Sequence, residues 1–143
     1  MKIIILVGNC GSGKTYYIHH SGILNDLNDP LVIDDPMFES DIQLLKNALE
    51  YGRDVIVADP WFCISKNLQK MCKLIPNKYE REIIYFENDL ENCLANCQRR
   101  RMKEGKIVNP EFVRRLSFEY DPPTEAKKIP VWCENTVDKL QTV

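Results

Sequence analysis

Long apolar runs, closely paired cysteines and a surplus of charge of either sign are missing from this chain of 143 residues, and histidine is scarce. The longest purely apolar stretch, Ile3 to Val7, has five residues, where a membrane-spanning helix needs roughly eighteen. That excludes a helical span and makes the membrane an unexpected partner. The stretch follows a single Lys2 and precedes no small-residue cleavage site, so it matches a secretory signal poorly and a cytoplasmic location is expected. There are 2 histidines, and the six cysteines (Cys10, Cys63, Cys72, Cys93, Cys97 and Cys133) form no C-x2-C pair. A common zinc site and a secreted disulfide framework are therefore not indicated, and the thiols read as reduced and mostly structural. Basic and acidic side chains number 19 and 21, a formal charge of −2, so any anion-binding surface has to be local. Repeats and low-complexity segments are absent, and no obligate protein partner is evident.

What is present fits one domain, residues 1–143, with 44% apolar and 28% charged side chains. Five short runs rich in branched residues, Lys2 to Val7, Leu31 to Ile33, Asp54 to Ala58, Glu82 to Phe86 and Ile129 to Cys133, read as strands. They are runs and not alternations, with helical patterns between them, which predicts a parallel sheet covered on both faces: a three-layer α/β domain. Ser40 with Gln43, Ser65, Asn88 with Glu91, and Asn109 before Pro110 are the expected helix starts. The third of these helices is expected to end in Arg99, Arg100 and Arg101. The polar stretch from Arg101 to Val108, with Gly105 inside it, reads as a flap, placing a lid segment near 99–109.

Residues 8 to 15, Gly8-Asn9-Cys10-Gly11-Ser12-Gly13-Lys14-Thr15, satisfy G-x-x-x-x-G-K-[ST]. This is a phosphate-binding loop pattern, and it stands where it must, after a strand and before a helix. Its backbone has to curl so that N–H groups face phosphate oxygens, and a β-carbon at Gly11 or Gly13 would obstruct the curl. Asn9 to Thr15 are thus the expected nucleotide-binding residues. Lys14 reaches the outer phosphates and the Thr15 hydroxyl holds Mg2+. The helix that follows is expected over Thr15 to His20, with Gly22 closing it.

Two strands end in aspartate, at the carboxyl edge where parallel sheets place ligands. Asp59, after Val55 to Ala58, reads either as a carboxylate near the magnesium, beside Thr15, or as a strand-end residue opening the Asp59-Pro60 turn. Asp34 is the candidate base, because an enzyme moving phosphate onto a hydroxyl needs a group to accept the hydroxyl proton. Asp35, before Pro36, reads equally as a substrate-binding group or a helix cap. Within Arg99 to Arg101, one guanidinium can neutralise charge on a transferring phosphoryl group. Trp61 reads as core or as the wall of an acceptor pocket, Trp132 as core, and Cys93 and Cys97 as packing on one helical face.

Taken together, KIIILVGNCGSGKT, LVIDDP, VIVADP, CLANCQRRR and IPVWCEN resemble the P-loop kinases of the nucleoside-monophosphate-kinase-like group, above all the kinase domains of phage polynucleotide 5′-kinases and related small predicted kinases. The resemblance implies strand order 2-3-1-4-5, a lid between the last two helices, and ATP- and Mg2+-dependent transfer of the γ-phosphate. The implied acceptor is a polynucleotide 5′-hydroxyl or a nucleotide-like small hydroxyl compound. Asp34, twenty residues after Lys14, resembles the family's base, Arg100 its lid arginine, and Glu134-Asn135-Thr136 the loop against the adenine, with Asn135 as the nucleotide contact. The chain departs from the family at Ile33, at Pro60-Trp61 and at Asn96, which stands where the first lid arginine is expected. ATP and GTP are not distinguished. A nucleotide-dependent NTPase switch, transferring phosphate only to water, is the alternative reading.

Overall fold

The computed structural model describes residues 1–34 and 39–133. Its centre is β1 (Lys2–Val7), flanked by β3 (Val55–Ala58) on one side and β4 (Glu80–Phe86) on the other, with β2 (Leu31–Asp34) and β5 (Lys128–Ile129) at the edges. All pairs are parallel and the order is β2-β3-β1-β4-β5, as the resemblance implied. Between the strands run α1 (Lys14–His20), α2 (Glu39–Glu50), α3 (Ser65–Leu74), α4 (Leu90–Glu104) and α5 (Pro110–Glu119).

Alternate residues of β1 divide between two cores, as side chains of a strand must. Ile3, Ile5 and Val7 pack with Val55, Val57, Leu45 and Leu49 of α2, Met71 of α3 and Leu116 of α5. Ile4 and Leu6 face the other way, with Ile56, Ala58, Phe86 and Ile18 of α1. Both faces of the centre are thereby dry, which is why these strands are near-continuous Ile, Leu and Val. A third, smaller cluster of Cys93, Cys97, Val113 and Val131 roofs the carboxyl edge.

Polar groups hold the layers in register. Asp54 accepts from the backbone of Lys2 at 2.9 Å and of Asn28 at 2.7 Å, tying the starts of β1, β2 and β3 together. The Arg81 guanidinium donates to the carbonyls of Cys72 (2.7 Å) and Ile75 (3.0 Å), satisfying the end of α3 from β4. Tyr120, just past α5, donates to the Phe86 carbonyl at 2.5 Å.

Several element boundaries differ from the sequence reading, each for a local reason. Asp89, not Asn88, caps α4 by accepting from Asn92 N at 3.2 Å. Asn88 is instead spent on α5, donating to Ser117 O at 2.8 Å and Tyr120 O at 3.2 Å. The arginine triplet does not end α4, which runs on to Glu104 and stops at Gly105 with φ 68°. Only 105–109 of the expected lid lacks helix. Ser40 lies inside the first turn of α2, and α3 starts after Ile64 with no side-chain cap at all. Asn109 does cap α5, accepting from Glu111 N at 3.0 Å, with Pro110 as its first residue. The fifth strand is two residues where five were expected, because Pro130 has no N–H for the ladder and the chain leaves the sheet there. Among the described residues, no helix is long and apolar enough to cross a membrane.

Candidate functional site

The loop between β1 and α1 is built from contacts as much as from backbone freedom. Gly11 and Gly13 sit at φ 77° and 99°, where L side chains are strained. Each is also pressed by a neighbour. A β-carbon on Gly11 would collide with the Cys93 carbonyl oxygen and lie 2.9 Å from Cys97 Sγ, both on α4. On Gly13 it would lie 2.7 Å from Trp132 Cβ. The sequence pattern identifies these glycines by the curl they permit, but the structure adds that α4 and the segment after β5 lean directly on the loop.

Lys14, 7% exposed, turns back into the loop, donating to Gly8 O at 2.8 Å and Asn9 O at 2.9 Å, with Ser12 Oγ at 3.4 Å. The ammonium is therefore held inside the ring of loop carbonyls. The Asn9 side chain faces the protein interior, donating to Val113 O on α5 at 2.8 Å and accepting from Cys10 N at 2.7 Å. It anchors the loop to α5. Thr15 Oγ1 donates to Asp34 Oδ2 at 2.5 Å, across 19 residues of sequence, so the carboxyl end of β2 meets the first turn of α1.

A cleft of about 510 Å³ opens over this loop. Its walls include Cys10, Gly11, Gly13, Lys14, Thr15 and Asp34 on one side, and Asn96, Arg99, Arg100 and Trp132 on the other. Lys103 and Lys106 add positive charge at its lip, against Glu104. The Arg99 guanidinium lies 5.8 Å from the centre of the Trp132 ring, and Tyr16 meets the same indole edge-on at 6.0 Å. Arg100 and Lys106 are close enough to Cys97 to oppose the rise that burial imposes on its thiol pKa. Burial pushes the Cys93 and Cys63 thiols up to about 12, with Lys14 pulling against it in both. These cysteines are protonated, inert packing groups at neutral pH, and no group of three His, Cys, Asp or Glu among the described residues could hold a metal ion.

Asp59 and Trp61 make other contacts. Asp59 is 5% exposed, and its Oδ1 accepts from Trp61 N at 2.9 Å, capping the short 3-10 turn Pro60–Cys63. It is not part of the cleft wall, and neither is Trp61, whose ring packs on Phe112 at 4.8 Å with Arg115 across it. Asp35 and Asn135 fall outside the described residues. Two residues that sequence reasoning named without giving them a part in the site, Asn96 as a departure from the family and Trp132 as core, support the loop. Asn96, 7% exposed, donates through Nδ2 to Gly11 O at 2.8 Å and to Trp132 O at 2.6 Å. Trp132 returns the contact, its backbone N–H reaching Ser12 O at 3.0 Å. A signal for Asn96 was available: it shares the inward face of α4 with Cys93 and Cys97, and a polar group on a buried face needs a partner.

No family model matches this chain, and no curated protein sequence matches it at a significant level. Among solved structures, a gluconokinase from Sinorhizobium meliloti 1021 superposes with a TM-score of 0.60 at 11% identity, covering 99% of this chain and 90% of that one. The protein APE1195 superposes with a TM-score of 0.51 at 20% identity, covering 98% and 90%. Such identities speak for the fold alone, which is the α/β P-loop kinase-like architecture.

Proposed function

We propose that this chain is a phosphotransferase that moves the γ-phosphate of ATP or GTP onto a hydroxyl acceptor. One observation carries the reading: the hydrogen bond from Thr15 to Asp34 puts a carboxylate against the phosphate loop, in the cleft that Lys14, Arg99 and Arg100 share. A carboxylate there can hold Mg2+ beside Thr15, and it can also receive the proton of an acceptor hydroxyl, which a kinase needs.

In this reading the loop amides and Lys14 hold the β- and γ-phosphates. The Thr15 hydroxyl and the Asp34 carboxylate are hard oxygen donors 2.5 Å apart. They fit Mg2+, which favours one or two carboxylates and takes its other ligands from phosphate and water. When bound, that ion neutralises charge on the phosphates. Thr15 and Asp34 thus take the metal side. The acceptor oxygen attacks the γ-phosphorus in line, its proton passes to Asp34, and the bond to the leaving diphosphate oxygen breaks. Arg100, with Arg99 behind it on Trp132, closes over the developing charge. The gluconokinase likeness agrees with a small hydroxyl compound, and the sequence resemblance with a polynucleotide 5′-hydroxyl. Sequence motifs carry no preference between them that survives the substitutions at Ile33 and Pro60-Trp61.

The test is transfer from γ-labelled ATP with Mg2+, offered in parallel to a single-stranded 5′-hydroxyl oligonucleotide, to nucleosides and their monophosphates, and to sugar acids. Label on any acceptor supports the proposal and names the class. Label released only as inorganic phosphate overturns it in favour of an NTPase switch.

A further inference from the structure

We infer that Asn96 is a positioning residue: by holding the carbonyls of Gly11 and Trp132, it aims the amides of the phosphate loop inward. The inference deepens the functional reading above and rests on it. In a planar trans peptide, the carbonyl of one residue and the N–H of the next point in opposite directions. Asn96 Nδ2 draws the Gly11 carbonyl outward toward α4 at 2.8 Å. The Ser12 N–H is thereby turned to the inside of the loop, where it spans to Asn9 O at 3.1 Å. The Trp132 N–H draws the Ser12 carbonyl outward at 3.0 Å, which turns the Gly13 N–H inward in the same way. Asn96 also holds the Trp132 carbonyl at 2.6 Å, so one amide group supports both outward-facing carbonyls, one directly and one through the Trp132 segment.

The chemistry leaves little freedom in this joint. Both partners of Asn96 are carbonyl oxygens, which only accept, so the side chain can face them only with its nitrogen. The Gly11 and Gly13 positions are packed against Cys93 and Trp132, so the loop cannot drift outward to replace the lost contacts. The side chain is buried, so water does not substitute readily for its two hydrogen bonds. The asparagine side chain ends on the loop itself.

The experiment measures binding of inorganic tripolyphosphate and of ATP to wild-type protein, Asn96→Ala, Asn96→Asp and Cys97→Ala, with thermal melts on each. Tripolyphosphate isolates the loop from any contact with a base. Asn96→Ala is expected to weaken both ligands about tenfold, the worth of one or two hydrogen bonds. Asn96→Asp should weaken them further, since a carboxylate would face two carbonyls. Cys97→Ala removes packing beside Gly11 but no donor, and should lower the melting temperature while leaving affinity within about threefold. Equal affinity in wild type and both Asn96 variants overturns the inference and leaves the kinase reading standing. A wild type that binds neither ligand takes away the kinase reading, and this inference with it. If the Asn96 variants do not fold, the wild-type protein decides. The Asn96 side-chain amide protons should stay slow to exchange when tripolyphosphate is bound, and the Gly13 amide resonance should shift. Fast exchange with an unmoved Gly13 overturns the inference.

Discussion

Replacing Gly11 by alanine separates two costs that a glycine motif usually confounds. The first is conformational. At φ 77° a residue with a β-carbon loses about 1 to 2 kcal/mol. The second is steric, because the added methyl would run into the Cys93 backbone carbonyl and sit 2.9 Å from Cys97 Sγ, neither of which is the loose end of a flexible side chain. Overfilling a packed site costs about 1 to 3 kcal/mol. Gly105 supplies the control, with φ 68° and nothing within 4 Å of its would-be β-carbon. Gly105→Ala should therefore show the conformational cost alone, about 1 to 2 kcal/mol. Gly11→Ala should show the sum, about 2 to 5 kcal/mol, or roughly 5 to 15 °C in melting temperature. Equilibrium urea unfolding with matched slopes reads the difference directly. If Gly11→Ala costs no more than Gly105→Ala, α4 does not press on the loop as described, and the packing account of the motif is wrong.

Asp34→Asn should lower phosphate transfer by a factor of about 10² to 10⁴, the usual worth of a positioned base, while ATP binding without added metal stays within about threefold. An unchanged transfer rate would remove Asp34 from the mechanism. The thiols of Cys63 and Cys93 give the fold an alkaline limit. Burial raises both from an ordinary value of 9.0 to about 12, so the folded state holds protons that the unfolded state releases. Their contribution is complete below pH 9 and declines as pH climbs toward 12, by up to about 1.4 kcal/mol per unit for each thiol. Urea titrations from pH 8 to 11 should show that fall in the wild type and a shallower one in a Cys63→Ala, Cys93→Ala double variant; parallel slopes would refute it.

Some of the site was readable before any coordinates, because its chemistry is local in sequence. The candidate phosphate loop is eight consecutive residues recognised by their spacing, and Asn109-Pro110 announces a helix start by chemistry confined to neighbouring positions. Asp34 stood out because parallel strands deliver their carboxyl ends to one edge. Asp89 in place of Asn88 as the cap of α4 was not decidable this way. Both side chains suit the role, and what separates them is that Asn88 has carbonyls of α5 to hold, 29 and 32 residues further on.

A parallel sheet buried on both faces of β1 follows from hydrophobic pattern, the position of the loop from its motif and the strand order from the family resemblance, so the sequence alone determined the architecture. Periodicity and spacing are properties of neighbouring residues, and a chain displays them without folding. Tertiary structure alone decided that Asp34 meets Thr15, that Trp61 packs on Phe112, and that Asn96 and Trp132 hold the Gly8 to Thr15 loop. Each of those depends on a hydrogen bond or ring contact between residues far apart in the chain. Which of several suitable partners is met is settled only when the helices close on the sheet.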